Sequence, residues 1–167
     1  MCTTRLGAML AFASLGLFAC GDDPPGDVAG NYSLTITNGA NGCMTDNWTE
    51  GESSSGTPFV VTRTDASTVG VVEGLAGVFL QSYVGTNRFQ GVTAGTRMNL
   101  LAIGTTSYSI PGCSFTIDAE VSANVSGEFL SGEIVYTPNT DGSVACGLLN
   151  SCENVQTIAG TRPPPGS

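Results

Sequence analysis

Cysteine is the residue type in this chain best suited to covalent chemistry. The sequence of 167 residues contains six cysteines but neither histidine nor lysine. The lack of histidine excludes a Ser-His-Asp triad, a Cys-His dyad and an imidazole metal site, and the lack of lysine excludes a Schiff base. A carboxylate pair or an all-oxygen metal site remains open to an enzyme. We therefore expect a protein that is not an enzyme and that uses no cofactor or metal.

The first of these cysteines to survive processing would be Cys20, which ends an apolar segment near the start of the chain. Arg5 precedes a run of 14 apolar or small residues from Leu6 to Ala19, and a membrane-spanning helix needs about 20. An acidic segment rich in proline and glycine follows Cys20. This pattern predicts a signal peptide over residues 1–19.

The residues before this cysteine, Leu17-Phe18-Ala19-Cys20, resemble a bacterial lipobox. The resemblance implies cleavage before Cys20, acylation of its sulfur and new amine, and the lipid bilayer as a partner. Two acyl chains already give stable attachment, and bacterial lipoproteins carry three. Gly21 after the cysteine implies the outer membrane of the cell envelope as the destination. Residues 20–27 are then a lipidated cysteine and flexible tether.

The charge balance narrows the partners further. All five basic residues are arginines, and removal of residues 1–19 leaves four of them against 14 acidic residues, a net charge of −10. Nucleic-acid binding needs a basic surface, so we expect no nucleic-acid partner. The acidity is typical of a soluble, self-repelling domain.

Four cysteines remain after Cys2 is cleaved off and Cys20 is acylated: Cys43, Cys113, Cys146 and Cys152. In an oxidising compartment this even number predicts two disulfides. Of the three possible pairings we favour Cys146–Cys152, which closes a short loop, together with Cys43–Cys113. Their spacing lacks the paired, short-spaced cysteines of a zinc site.

Alternation of apolar and polar residues predicts an all-β fold. We expect an antiparallel up-and-down barrel over residues 28–162, with a β-sandwich as the alternative and a disordered tail over 163–167. Residues 75–84 fit a 3.6-residue period and are predicted as a short helix or turn. The predicted strands are residues 32–37, 58–64, 68–73, 87–93, 97–103, 114–123, 128–136 and 153–161.

The parity of the strands and the positions of the cysteines agree with this barrel. An even number of strands lets the last pair antiparallel with the first. With eight strands, all the cysteine-bearing loops fall at one end, which two disulfides require because bridged Cα atoms lie within about 7 Å.

The first predicted strand, Gly30-Asn31-Tyr32 onward, resembles the opening strand of lipocalin-like (calycin) barrels. Those proteins often begin with Gly-x-Trp, and Tyr32 occupies the tryptophan position here. The resemblance implies that a basic residue near the end of the fold packs over this aromatic ring, and Arg162 is the candidate.

The residues expected to line the barrel or a ligand site are Tyr32, Leu34, Ile36, Trp48, Phe115 and Ile117. An eight-stranded barrel holds one small ligand or is filled by its own side chains. Two functions stay open on this basis. The first is a membrane-anchored lipoprotein that binds a small apolar ligand in the barrel or at its mouth. The alternative is a structural or protein-interaction module of the envelope with a filled barrel.

Overall fold

The computed structural model describes residues 27–64 and 66–163, so the signal peptide, Cys20, most of the tether, Asp65 and the last four residues lie outside the described residues. One α-helix, α1 (Gly74–Tyr83), and a short 3-10 segment (Val144–Asn150) accompany nine strands. The strands are β1 (Gly30–Asn41), β2 (Ser53–Arg63), β3 (Thr68–Val72), β4 (Arg88–Ala94), β5 (Arg97–Ala102), β6 (Tyr108–Ile110), β7 (Cys113–Ser126), β8 (Phe129–Thr140) and β9 (Asn154–Thr161).

Eight of the strands close into an antiparallel up-and-down barrel, which confirms the predicted fold. Consecutive strands pair from β1 to β5, and β7 pairs with β8 and β8 with β9. Two further pairings close the circle: β5 with β7, and β9 with β1. The remaining strand, β6, lies outside the set of eight and was not predicted. Its three residues pair with the start of β7.

The interior of the barrel is filled by side chains that alternate along each strand. Tyr32, Phe59 and Phe89 are among the largest of these, and each is at most 2 % exposed. Glycines lie beside the bulky groups: a Cβ added at Gly70 would lie 2.5 Å from a ring carbon of Phe59. Large side chains thus occupy the space that the glycines leave, in the manner of close-packed protein interiors.

Two strands at one end run further than the sequence predicts. The first strand was predicted over residues 32–37, ended by Asn38-Gly39 and Asn41-Gly42, whereas β1 continues to Asn41. The expected polar loop from Cys43 to Thr57 is shorter because β2 begins at Ser53. The reason is a polar ladder: the Thr37 hydroxyl lies 2.7 Å from that of Ser53, so hydroxyl pairs replace apolar packing on this exposed face.

The barrel has two unlike ends. The disulfide end carries the β1–β2 loop, α1, the segment between β5 and β7, and the 3-10 segment, and it holds all four disulfide cysteines. The terminal end carries the start of β1, the end of β9 and the short β4–β5 and β7–β8 turns. The expectation that the cysteine-bearing loops meet at one end is therefore confirmed.

The predicted pairing of the cysteines is wrong, although two disulfides form. Cys43 is bonded to Cys152 and Cys113 to Cys146, each with Cα atoms 5.0 Å apart. Each bridge extends a pair of neighbouring strands: β1 beside β9 for the first, and β7 beside β8 for the second. Strand neighbours, rather than closeness in sequence, decide the pairing.

We predict that peptide mapping under non-reducing conditions will recover the linked peptides Cys43–Cys152 and Cys113–Cys146. Removing the first bridge in a C43A/C152A variant should lower the free energy of unfolding by about 1 kcal/mol more than C113A/C146A does, since the closed segments have sequence separations of 109 and 33. Urea denaturation measures this difference. A Cys146–Cys152 peptide would contradict the pairing.

We also predict that Gly70→Ala destabilises the fold by about 1–3 kcal/mol, because the added methyl group overpacks a filled interior against Phe59. Gln90→Ala, at an exposed position on β4, is the matched control and should change stability by less than about 0.5 kcal/mol. Equal unfolding free energies for the two variants would mean that the interior has spare room.

Candidate functional site

Five aromatic rings meet where the barrel opens at the disulfide end, and we call them the aromatic mouth. Tyr136 lies at its centre, with ring centroids 6.2 Å from Trp48 and 6.1 Å from Tyr83. Tyr83 in turn lies 6.1 Å from Tyr108, which stacks on Phe115 at 5.4 Å. Such edge-on and stacked pairs stabilise beyond the area that they bury. The rings cover this end of the filled interior.

Hydrogen bonds to the backbone of other parts of the chain hold two rings of the mouth, Trp48 and Tyr108. Trp48 Nε1 donates to the Gly39 carbonyl at 3.0 Å, which fixes the β1–β2 loop over the mouth. The Tyr108 hydroxyl donates to the Tyr83 carbonyl at 2.9 Å and so ties β6 to the end of α1. The mouth is therefore a built part of the fold and not a collection of free loop side chains.

Polar side chains of β9 hold the β1–β2 loop against the barrel. Asn154 is 2 % exposed; its Oδ1 accepts from the Cys43 backbone N–H at 2.9 Å, and its Nδ2 donates to Thr45 Oγ1 at 2.7 Å. Tyr136 donates to Gln156 Oε1 at 2.8 Å, and Gln156 Nε2 donates to Asn38 at 2.7 Å. Buried polar groups are satisfied in this way at low cost.

Burial governs the acid–base chemistry of these tyrosines. It raises the pKa of Tyr136 well above the ordinary value of 10.0, and nearby Tyr83 raises it further. Burial also raises the pKa of Tyr83, with a hydrogen bond to Thr45 acting in the opposite direction. Phenols in this state are neutral at physiological pH and act as hydrogen-bond donors rather than as bases or nucleophiles.

Two sulfurs and a carboxylate lie together beside the mouth. Cys113, Asp141 and Cys146 have ligand atoms within 4.8 Å of one another, and Asp141 Oδ1 lies 3.3 Å from the Cys146 sulfur. Both sulfurs belong to one disulfide, so neither is a thiolate ligand.

Asp141 has a structural role in this place. Its side chain accepts backbone N–H groups of Ser143 at 2.9 Å and Ser114 at 3.0 Å, and these bonds lower the pKa of its carboxyl group. The segment 139–143 faintly resembles a calcium loop in sequence but lacks its spacing and closing glutamate. In the structure Asp141 joins this segment to the start of β7.

The opposite, terminal end holds the contact that the calycin resemblance implied. The Arg162 guanidinium carbon lies 5.6 Å from the centroid of the Tyr32 ring, which confirms the predicted packing. Arg162 also donates to the carbonyls of Ala29, Asp27 and Gly127. Burial raises the pKa of Tyr32, partly offset by the charge of Arg162. This cluster joins both chain ends to the β7–β8 turn.

The six predicted lining residues therefore do not form one site. Tyr32, Leu34 and Ile117 are buried in the interior, whereas Ile36, Trp48 and Phe115 are partly buried against it. Only Trp48 and Phe115 belong to the mouth. Tyr83, Tyr108 and Tyr136 were not among the predicted site residues, although each lies at the disulfide end of its helix or strand.

Two grooves lie on the outer surface of the barrel. One, of about 410 Å³, runs over β1 at the terminal end between Asn31, Pro58 and Arg162. The other, of about 520 Å³, crosses β5, β7 and β8 and is lined by polar groups such as Asn99, Asn124 and Glu133.

No protein-family model, curated protein or solved structure matches this chain. In the segments 27–64 and 66–163 no helix is both long enough and apolar enough to cross a bilayer. The function is accordingly argued from the geometry of the chain itself.

Alkaline pH tests the burial of the mouth. An unfolded tyrosine ionises near pH 10, whereas Tyr136 keeps its proton in the fold to higher pH, so its contribution to stability is complete below pH 10 and is lost as the pH rises above it. We predict that the free energy of unfolding falls above pH 10 and falls less steeply in a Y136F variant.

Absorbance at 295 nm follows the same titration. Tyrosinate should appear mainly together with unfolding, since burial raises the pKa of all four tyrosines. Four phenols that titrate near pH 10 in the folded protein would contradict a closed mouth.

Proposed function

We propose that this protein is a non-enzymatic lipoprotein of the bacterial cell envelope, held to the outer membrane by acyl chains on Cys20. Its barrel is a filled scaffold, and its function is to present the disulfide end to other molecules. The single observation that carries the proposal is the filled interior: side chains as large as Tyr32, Phe59 and Phe89 occupy it. Such a barrel offers its surface and loops rather than a cavity.

The polarity of the barrel supports this display function. The tether joins the barrel at Asp27, beside the start of β1 at the terminal end. Six residues, 21–26, lie between Cys20 and Asp27, and an extended chain over the seven steps from Cys20 to Asp27 spans about 25 Å at most. With the acyl chains in the bilayer, the terminal end faces the membrane and the disulfide end faces away from it.

The non-enzymatic part of the proposal rests on the chemistry of the described side chains. The phenols of the mouth stay protonated because burial raises their pKa. The sulfurs near Asp141 are consumed in a disulfide. The chain has no imidazole or lysine amine to act as a general base.

A small apolar ligand at the mouth is the second candidate function, and one observation favours it. Trp48, Tyr83, Tyr108, Phe115 and Tyr136 form a continuous aromatic surface, of the kind that lines binding sites for apolar molecules. A ligand there would have to displace Trp48, which ties its own loop to Gly39. The scaffold function needs no such displacement.

Metabolic labelling with an alkyne analogue of palmitate tests the anchor. We expect the wild-type chain to be labelled and to fractionate with membranes, and a C20A variant to lose both properties. Cys2→Ala is the matched control, since Cys2 lies in the predicted signal peptide and should leave labelling unchanged. Undiminished label on the C20A variant would refute the lipoprotein assignment.

Native mass spectrometry of the full chain, released from detergent, separates the two candidate functions. The filled scaffold predicts the mass of the acylated chain alone. An additional lipid-sized mass that is lost in a W48A variant would instead support a ligand at the mouth.

A further inference from the structure

The helix α1 carries apolar side chains on both of its faces. One face is turned to the barrel, where Gly77 and Leu80 are buried. The other presents Leu75, Val78 and Phe79, which are 74 %, 62 % and 66 % exposed. Their spacing of three and four residues places them in one stripe on the helix surface. Apolar side chains on one side of a helix are typical of a side that a neighbouring element covers, so the exposed stripe lacks the cover that its composition indicates.

The stripe is held in place by the barrel. The Val84 backbone N–H, which caps α1, donates to the Leu80 carbonyl at 2.7 Å. The Val84 carbonyl then accepts from Thr105 at 2.7 Å, in the segment before β6, and the carbonyl of Tyr83 accepts from the Tyr108 hydroxyl. These hydrogen bonds join the C-terminal end of α1 to the segment between β5 and β7 and hold the helix in place at the disulfide end.

Other exposed apolar side chains gather at the same end. Among the described residues, eleven large apolar side chains are exposed, and eight of these lie at the disulfide end. They are Met44, Leu75, Val78, Phe79, Ile103, Ile110, Val144 and Leu148. Concentrated apolar exposure of this kind marks interaction surfaces.

Charge at the disulfide end is one-sided. Six exposed acidic residues lie in its loops or next to its helical segments: Asp46, Glu50, Glu52, Glu73, Asp141 and Glu153. Arg88, at the start of β4, is the basic residue at this end within the described part of the chain. Glu73 directly precedes α1, so acidic charge begins where the apolar stripe begins.

We propose that the stripe formed by Leu75, Val78 and Phe79 is a docking surface for a protein partner whose apolar ridge is flanked by lysine or arginine. The proposal rests on the display function above and specifies the surface and the class of partner. The apolar stripe supplies the buried centre of the interface, and the carboxylates of the same end, of which Glu73 lies directly before α1, pair with the basic flanks.

The same charges argue against the other occupants. A second copy would bring six acidic residues against six, and like charges in juxtaposition are costly. An anionic lipid surface is repelled for the same reason, and the tether enters at the opposite end of the barrel. A protein surface with an apolar ridge and basic flanks covers the stripe and also complements the acidic charge.

Photo-crosslinking of designed peptides tests the proposal. The probe is an amphipathic 18-residue helix of leucine and lysine that carries a photoreactive group, and its counterpart replaces every lysine by glutamate. The full-length chain is held in phosphatidylcholine nanodiscs, with empty nanodiscs as the reference for peptide bound to lipid. Crosslinked residues are mapped by mass spectrometry, and the yield at α1 is followed against peptide concentration.

We expect the lysine peptide to crosslink at α1, with an apparent Kd at least tenfold tighter than that of the glutamate peptide. An L75S/V78S/F79S variant should weaken it at least tenfold. The control variant V92S/F129S removes comparably exposed apolar groups outside the disulfide end and should leave the Kd unchanged. Circular dichroism and intact disulfides confirm that both variants fold.

Three results would overturn the proposal: equal affinity for the two peptides, crosslinks that avoid α1, or an L75S/V78S/F79S variant that binds the lysine peptide as tightly as the wild-type chain does. The assay runs equally on unacylated chain in solution. Failure of the lipid anchor and failure of docking are therefore separate results.

Discussion

The pairing of β1 with β9 is the constraint on which the rest of the structure depends. It joins the first strand to the last, from Ser33 opposite Thr161 to Asn41 near Asn154, and so leaves the barrel without a free edge. Because each strand reverses the direction of the one before, closure places the start of β1 and the end of β9 at one end of the barrel. The four disulfide cysteines, α1 and the aromatic mouth are thereby placed at the other. The two unlike ends of the barrel follow from this one pairing.

Much of this architecture could be predicted from periodicity. β7 alternates apolar and polar residues along its length, and residues such as Ala119 and Val121 are buried as the pattern requires. The closure of the barrel could be predicted from the even number of strands. The packing of Arg162 against the Tyr32 ring could be predicted from the resemblance to calycin barrels. The predicted disulfide pairing is wrong because strand neighbours, and not the length of the loop between two cysteines, decide which cysteines meet. The predicted closure already places β9 beside β1, and hence Cys152 near Cys43.

The features that could not be predicted from the sequence depend on contacts between particular side chains that follow no periodic pattern. Ser53 to Gly56 has the composition of a loop, yet it forms strand because hydroxyl groups of β1 lie opposite its own. In α1 the 3.6-residue period correctly indicated a helix. Its apolar stripe would ordinarily be assigned to the core, but the barrel packs against Gly77 and Leu80 instead. Periodicity identifies a face without telling which neighbour, if any, covers it.

The proposed attachment through Cys20 would give the fold a mechanical property. Any tension on the tether enters at Asp27 and is first borne by Arg162, whose guanidinium holds the carbonyls of Asp27, Ala29 and Gly127. Beyond that point the load runs along β1, whose hydrogen bonds to β2 and β9 are pulled in shear and resist as a group. Extraction of the strand must stop at Cys43, where a covalent bond to Cys152 takes up the force. The domain can therefore be stretched at its terminal end while the disulfide end keeps its shape.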